Sequence, residues 1–207
     1  MSEQKEIVRS GYNAVSYAYR GDLEDQDSAP YHEWLDELEP LLPAGARVLD
    51  LGCGCGIPVS RRLAAVHAVT GVDISPVQIE RARRLVPGAE FICADMGEIS
   101  FPAERFAAIV SFYAIIHLPL DEQPALFENL YRWLRPDGTL MATVGSRPWS
   151  GEAENWRGAG ARMAWSHAGT ETYLEWLAAA GFETLWTRFI PEGDGGHTLL
   201  LARRPSR

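Results

Sequence analysis

Three carboxylates, each close to the end of an apolar run, are placed to act on one ligand: Asp50 in VLDLGCGCG, Asp73 in AVTGVDIS and Asp95 in FICADM. After the first come Gly52, Gly54 and Gly56 at alternate positions. Such glycines allow a tight turn with positive φ and bring a ligand to the backbone without meeting a Cβ. A phosphate, a metal or redox pair, or another nucleotide could use that turn. Asp73 discriminates, because it follows Asp50 by 23 positions, and a carboxylate ending a second strand can accept hydrogen bonds from both hydroxyls of a ribose. Asp95, beside the apolar Met96, could hold the exocyclic amine and the face of an adenine. No lysine stands in the glycine loop and no G-x-x-x-x-G-K-[ST] occurs, so a diphosphate is a poor fit. Acidic walls favour a ligand carrying positive charge.

The cysteines argue against a metal or redox centre. Cys53, Cys55 and Cys93 form no C-x-x-C pair, and C-x-C inside a glycine turn aims its thiols poorly for tetrahedral closure, even with His67 or His117. No metal is therefore expected.

The elements that must position the acids are legible from punctuation. In YHEWLDELEPLLPAG, Trp34, Leu35, Leu38 and Leu41 share one helical stripe, ended by Pro43 and Gly45. ARVLDL, with its continuous apolar character, suits a strand buried on both faces. A helix over 57–67 and a second strand to Asp73 follow, and Ser75 and Pro76 take the N-cap and first positions of a helix reaching about Val86. AEFICAD and RFAAIVSFY are the third and fourth strands. Asp121 is expected to cap a helix carrying Leu126, Leu130 and Leu134, which RPDG stops before the fifth strand, TLMATVG. After the polar stretch 146–169 come a helix from Thr170 to Ala180, closed by Gly181, and two strands joined at 193–196 by a turn too short for a helical crossover. The expected fold is α/β: a doubly wound, Rossmann-like, mostly parallel seven-stranded sheet with an antiparallel terminal hairpin. We read 1–207 as a single domain: an N-terminal helical cap (1–45), a cofactor-binding core (46–145), an insert (146–169), and the last helix and hairpin (170–207).

Bulk properties narrow the partners. With 207 residues, 46% hydrophobic and 23% charged, the chain has the balance of a globular domain. A net charge of −9 opposes binding to nucleic acid, which relies on clustered Lys and Arg. No stretch approaches the ~20 apolar residues that cross a bilayer, and the N-terminus lacks a signal-like apolar core, so no membrane partner and a cytoplasmic location are expected.

Five stretches in register, VLDLGCGCG, GVDIS, FICADM, SFYAIIHL and LRPDGTLMATVG, resemble the successive motifs of class I S-adenosylmethionine-dependent methyltransferases of the small-molecule type. The resemblance implies S-adenosylmethionine as cofactor and S-adenosylhomocysteine as product. It further implies that Gly52, Cys53 and Gly54 line the methionine part, that Asp73 takes the ribose with Ile74 and Gln78 beside it, and that Asp95 and Met96 hold adenine. Ser111 would face the methyl group. GYNAVSYAYR is similar to an N-terminal stretch whose tyrosines fold over the cofactor, which makes Tyr19 a cofactor contact and Tyr12 a lid residue near the substrate; Asn13 and Ser16 depart from that pattern. His117, after the fourth strand, is the implied base, and Tyr113 is implied to border the acceptor.

The acceptor class is narrowed by absences. The fourth strand ends SFYA and not [DN]-P-P-[YF], no acidic pair follows it, and the two-glutamate arginine-methylating pattern is missing. The insert 146–169 supplies apolar walls in Trp149, Trp156, Met163 and Trp165, while Arg147, Arg157, Arg162 and His167 could meet an anionic or polar acceptor. Long loops without structure of their own are often lids, and Trp165 and His167 are the expected substrate contacts there. The expected activity is methyl transfer to a small metabolite or natural product, at oxygen before nitrogen. The competing readings are a cofactor-binding protein that transfers no methyl, a protein or RNA methyltransferase, and a nicotinamide oxidoreductase, whose G-x-G-x-x-G spacing differs from the one present.

Overall fold

The computed structural model describes residues 1–23 and 28–206. Nine strands and six helices are assigned among them: α1 (Glu3–Tyr19), α2 (Ala29–Leu38), β1 (Arg47–Leu51), α3 (Val59–Ala64), β2 (Ala68–Asp73), α4 (Pro76–Leu85), β3 (Glu90–Cys93), β4 (Phe106–Ser111), α5 (Gln123–Trp133), β5 (Leu134–Gly145), β6 (Trp149–Trp156), β7 (Ala161–His167), α6 (Thr170–Ala180), β8 (Glu183–Glu192) and β9 (Gly195–Arg203). The main sheet has seven strands in the order β3-β2-β1-β4-β5-β9-β8. β1 to β5 pair in parallel, and β9 runs antiparallel to both of its neighbours. The expected doubly wound fold is the observed one.

Alternation along the strands builds the two faces. Leu49, Leu51, Ile109, Leu140, Ala142 and Val144 point to α5 and α6, where Leu126, Phe127, Leu130, Trp133, Tyr173 and Leu177 complete a core. Val48, Val110 and Met141 point the other way, onto Trp34, Leu35 and Leu38 of α2 and Val59 and Leu63 of α3. Because the chain passes from β1 outward to β2 and β3 and then returns beside β1 as β4, strand order reverses between β1 and β4. Ligands of such sheets bind beyond that reversal, at the carboxyl ends of the strands.

Five sequence expectations need correction. Leu134 is not on α5 and RPDG does not stop that helix: α5 ends at Trp133, and β5 begins at Leu134 and runs through Arg135–Gly138. Leu41 is not on the α2 stripe: Pro40 follows the helix within a 3-10 turn (Glu39–Leu41), and Leu41 faces solvent. The helix expected over 57–67 is only Val59–Ala64, because Pro58 occupies its N-cap. Asp121 caps nothing; it lies in a 3-10 turn (Leu120–Glu122), and α5 begins after it with no side-chain cap bond. The insert is not a structureless loop. β6 and β7 form a two-stranded antiparallel sheet of their own, whose strand β7 packs on α1.

Candidate active site

β1 ends at the reversal, and the glycine turn that follows it is held to β2, since Gly52 N and Cys53 N both donate to Val72 O (2.7 and 3.0 Å). Gly52 has φ +83°, and a Cβ there would stand 2.1 Å from the Ala114 Cβ, so only glycine fits. Gly54, at φ +53°, borders open space: a Cβ there would meet nothing nearer than Gln78 Nε2 at 4.0 Å. Its N–H donates to Asp73 Oδ2 (2.9 Å), while Ser75 N–H donates to Asp73 Oδ1 (2.8 Å). Each Asp73 oxygen thus spends one lone pair on backbone and keeps another for a ligand. Burial raises the Asp73 pKa to about 6 against those two bonds. Asp50 is more deeply placed and takes the Ser60 hydroxyl at 2.5 Å; burial raises it to about 7.

The third acid is not bare. Lys5, on α1 and only 4% exposed, reaches Asp95 Oδ2 at 2.7 Å and Glu122 Oε2 at 2.5 Å. Burial alone would lower its pKa, and the bonds to the two carboxylates reverse that and raise it. Lys5 is a site residue that sequence reading missed, and no local signal distinguishes it from any other lysine on a helix. Tyr31 of α2 and Arg20 also line the cavity and were not singled out.

α1 and the β6–β7 hairpin form the roof. Gly11 lets α1 approach β7 so closely that a Cβ would lie 2.4 Å from Arg162 O. Asn13 and Ser16, the two departures from the family pattern, tie the roof to α4: the Ser75 hydroxyl donates to Asn13 Oδ1 (2.7 Å) and the Ser16 hydroxyl to Gln78 Oε1 (2.8 Å). Beneath the roof, His117 Nδ1 stands 2.8 Å from Ala164 O and His117 Nε2 stands 2.9 Å from the Tyr12 hydroxyl. A carbonyl only accepts, so Nδ1 carries the proton, and in the neutral ring Nε2 accepts from Tyr12. Burial lowers the His117 pKa to about 4, against the Ala164 bond. The Tyr12 hydroxyl is held well above its usual pKa, chiefly by burial. The pair is therefore neutral phenol and neutral imidazole at pH 7.

One cavity of about 1000 Å³, open to solvent, unites these groups. Of the residues singled out from sequence, Tyr12, Tyr19, Gly52, Cys53, Gly54, Asp73, Ile74, Gln78, Asp95, Met96, Tyr113 and His117 line it. Ser111 does not: it is fully buried, and its hydroxyl donates to Leu51 O (2.8 Å), joining β4 to β1 below the cavity floor. Trp165 and His167 do not line it either. They border a separate hollow with Arg147, Trp149, Gly196 and His197, although the Trp165 ring stands 5.6 Å from that of His117. Among the described residues no cluster of three or more His, Cys, Asp or Glu could hold a metal ion, and no helix is long and apolar enough to cross a membrane.

Residues 48–138 match the family model described as methyltransferase domain. Phosphoethanolamine N-methyltransferase 1 of Triticum aestivum is 31% identical over 156 residues, which are 72% of this chain and 30% of that protein. The 2-methyl-6-phytyl-1,4-hydroquinone methyltransferase of Synechocystis is 39% identical over 105 residues, 48% of this chain and 32% of that one. The chain spans half or less of the length of the first curated relatives it matches. Among solved structures, Burkholderia thailandensis 1,6-didemethyltoxoflavin-N1-methyltransferase superposes with TM-score 0.72 at 20% identity, covering 100% of this chain and 92% of that one. The [4+2]-cyclase SpnF matches with TM-score 0.72 at 23% identity, over 95% of this chain and 94% of that one. These structural likenesses establish the class I fold.

Proposed function

We propose, from the premise that this chain carries a methyltransferase domain on a class I fold, that it transfers the methyl group of S-adenosylmethionine to a small-molecule acceptor, at oxygen before nitrogen. The residues present suit that cofactor: bare backbone at Gly54, two half-used carboxylate oxygens on Asp73, and a deeper acid, Asp50, for a cation. Gly52, Cys53 and Gly54 would hold its methionine part, Asp73, Ile74 and Gln78 the ribose, and Asp95 with Met96 the adenine. Tyr19 would cover it from the roof. When bound, the sulfonium supplies an electrophilic methyl group.

What the chain would contribute is alignment and a proton path. The roof of α1 and β7 covers one side of the cavity and would fix the approach of the reactants, on which the rate of a displacement depends. Tyr12 and His117 carry the reading. An acceptor hydroxyl beside the Tyr12 phenol can pass its proton to that oxygen while Tyr12 passes its own to His117 Nε2, and Ala164 O steadies the imidazolium at Nδ1. A neutral hydroxyl needs such help, and an already deprotonated amine does not, which is why oxygen comes first. Tyr113 would border the acceptor.

Two measurements test the proposal. Heat denaturation with S-adenosylmethionine well above a micromolar-range Kd should raise the Tm, since a ligand bound only to the folded state stabilises it. Conversion to S-adenosylhomocysteine in the presence of phenolic and hydroxylated metabolites should then depend on His117. Because the same fold carries a [4+2]-cyclase, the product must be shown to have gained a methyl group. Cofactor binding with no methylated product from any acceptor class would reject transfer, and no Tm rise would reject the cofactor.

A further inference from the structure

We propose that the hollow between the lid hairpin and the tip of the main sheet holds the outer end of the acceptor, and that this end is a flat aromatic ring system bearing an anionic group. This rests on the methyl-transfer reading for its link to catalysis, but the binding chemistry stands apart from it.

Two strand registers create the hollow. In the hairpin Trp149 pairs with His167, and in the main sheet Gly145 pairs with His197, which brings both hairpin residues against the start of β9. The hollow is open to solvent and measures about 630 Å³ with the space at its mouth. Its walls are rings. The Trp149 ring lies 5.9 Å from Trp165 and 6.0 Å from His167, and His167 lies 6.1 Å from His197. Trp149 remains 48% exposed, so part of its indole is open to a stacking partner.

Charge selects the partner. Arg147 borders the hollow and makes no ion pair among the described residues, whereas Arg162 on the same hairpin is paired with Glu152 and Glu154. The nearby acid Glu192 is engaged by His197 at 3.3 Å and by Tyr113. In a chain of net charge −9, an unpaired guanidinium beside indole and imidazole rings is a place that accepts a flat anion, through ring stacking and a forked charge-assisted bond.

Position selects the role. His117 and Tyr113 line the reaction cavity, and the same two rings touch the hollow's walls: His117 meets Trp165 at 5.6 Å and Tyr113 meets His197 edge-on at 5.2 Å. The two spaces have no lining residue in common, so a molecule whose hydroxyl lies at Tyr12 and His117 would reach Arg147 by passing over the Tyr113–His197 contact that divides them.

Calorimetric titration with 2-naphthoate, its neutral amide and cyclohexanecarboxylate tests this. Naphthoate should bind, and the other two should bind at least about tenfold more weakly, as expected for loss of a charge-assisted bond or of stacking. Arg147→Gln should weaken naphthoate about tenfold, with Arg147→Lys recovering part of the loss, while both variants still show the Tm rise with S-adenosylmethionine that reports an intact fold. Asp73→Ala should leave naphthoate binding in place, so failure of the cofactor assignment would not be confused with failure of this one. Absent naphthoate binding, equal binding of the amide, or indifference to Arg147→Gln would overturn the site. A crystal grown with 6-hydroxy-2-naphthoate and S-adenosylhomocysteine should place the carboxylate at Arg147 and the ring toward Tyr113. A ring found elsewhere would overturn the acceptor role.

Discussion

At the proposed cofactor end, Gly52, Gly54 and Asp73 come from the tips of two adjacent parallel strands, with Gly52 N–H bonded to Val72 O and Gly54 N–H to the Asp73 carboxylate. At the proposed acceptor end, Tyr12, His117 and Ala164 come from a helix, a 3-10 turn and a hairpin, and meet through His117 across separations of 105 and 47 positions. The first end is set by the pairing of β1 with β2 and by one backbone-to-carboxylate bond between neighbouring strand tips. The second exists only while the roof is docked, so its chemistry and its stability depend on the same few polar contacts.

The largest expected effect breaks the second end. His117→Ala should lower kcat by about 10²–10⁴, the usual share of a general base, with a much smaller change in cofactor affinity by calorimetry. Equal losses in both would make His117 a structural residue. Lys5→Met should come next: it leaves Asp95 buried without its partner, a loss of about 3 kcal/mol given that Glu122 is partly exposed, seen as a lower Tm and earlier proteolysis of α1. Asp73→Ala, at the first end, should weaken S-adenosylmethionine about 100-fold, as two charge-assisted bonds are lost. Tyr12→Phe should reduce kcat about tenfold and leave cofactor affinity within the error of the same titration, since the imidazole remains. The smallest effect is that of pH. Asp73 titrates near 6, being raised by burial, so it is ionised and a stronger acceptor above that pH. Cofactor affinity should rise severalfold from pH 5 to pH 7.5 and be flat in Asp73→Asn.

Stability should carry the opposite signature of the two ends. Asp50 and Asp73 have folded-state pKa values above their unfolded ones, so the folded state binds more protons and their contribution is lost as pH rises from about 4 to about 7. His117 has a lowered pKa, so its contribution is lost as pH falls from about 6.5 to about 4. Asp50→Asn should therefore compare more favourably with the wild type at pH 8 than at pH 5 in thermal melts.

How much of this was legible follows the same division. The acids at strand ends, the glycine turn and the terminal hairpin could be read because each is a local matter of period and punctuation, as in Gly193–Asp194 between β8 and β9. Sequence does not fix the direction of Ser111, because a strand's last residue can point away from the cavity as easily as into it, and here its hydroxyl bonds Leu51 O. The insert has the sequence character of a loop because Gly151, Gly158 and Gly160 and its charges interrupt any clean alternation, yet it folds as a hairpin against α1. Nothing near Lys5 in the chain announces Asp95, 90 positions away.

The amino-acid sequence alone determined the doubly wound sheet, the bare turn after β1 and the acid at the end of β2, since hydrophobic period and glycine conformation act over a few residues. Tertiary structure alone decided that Lys5 neutralises Asp95, that Tyr12 donates to His117, and that Trp165 and His167 face a second hollow. Those outcomes depend on where a helix and a hairpin dock, and docking is a property of surfaces assembled from distant parts of the chain.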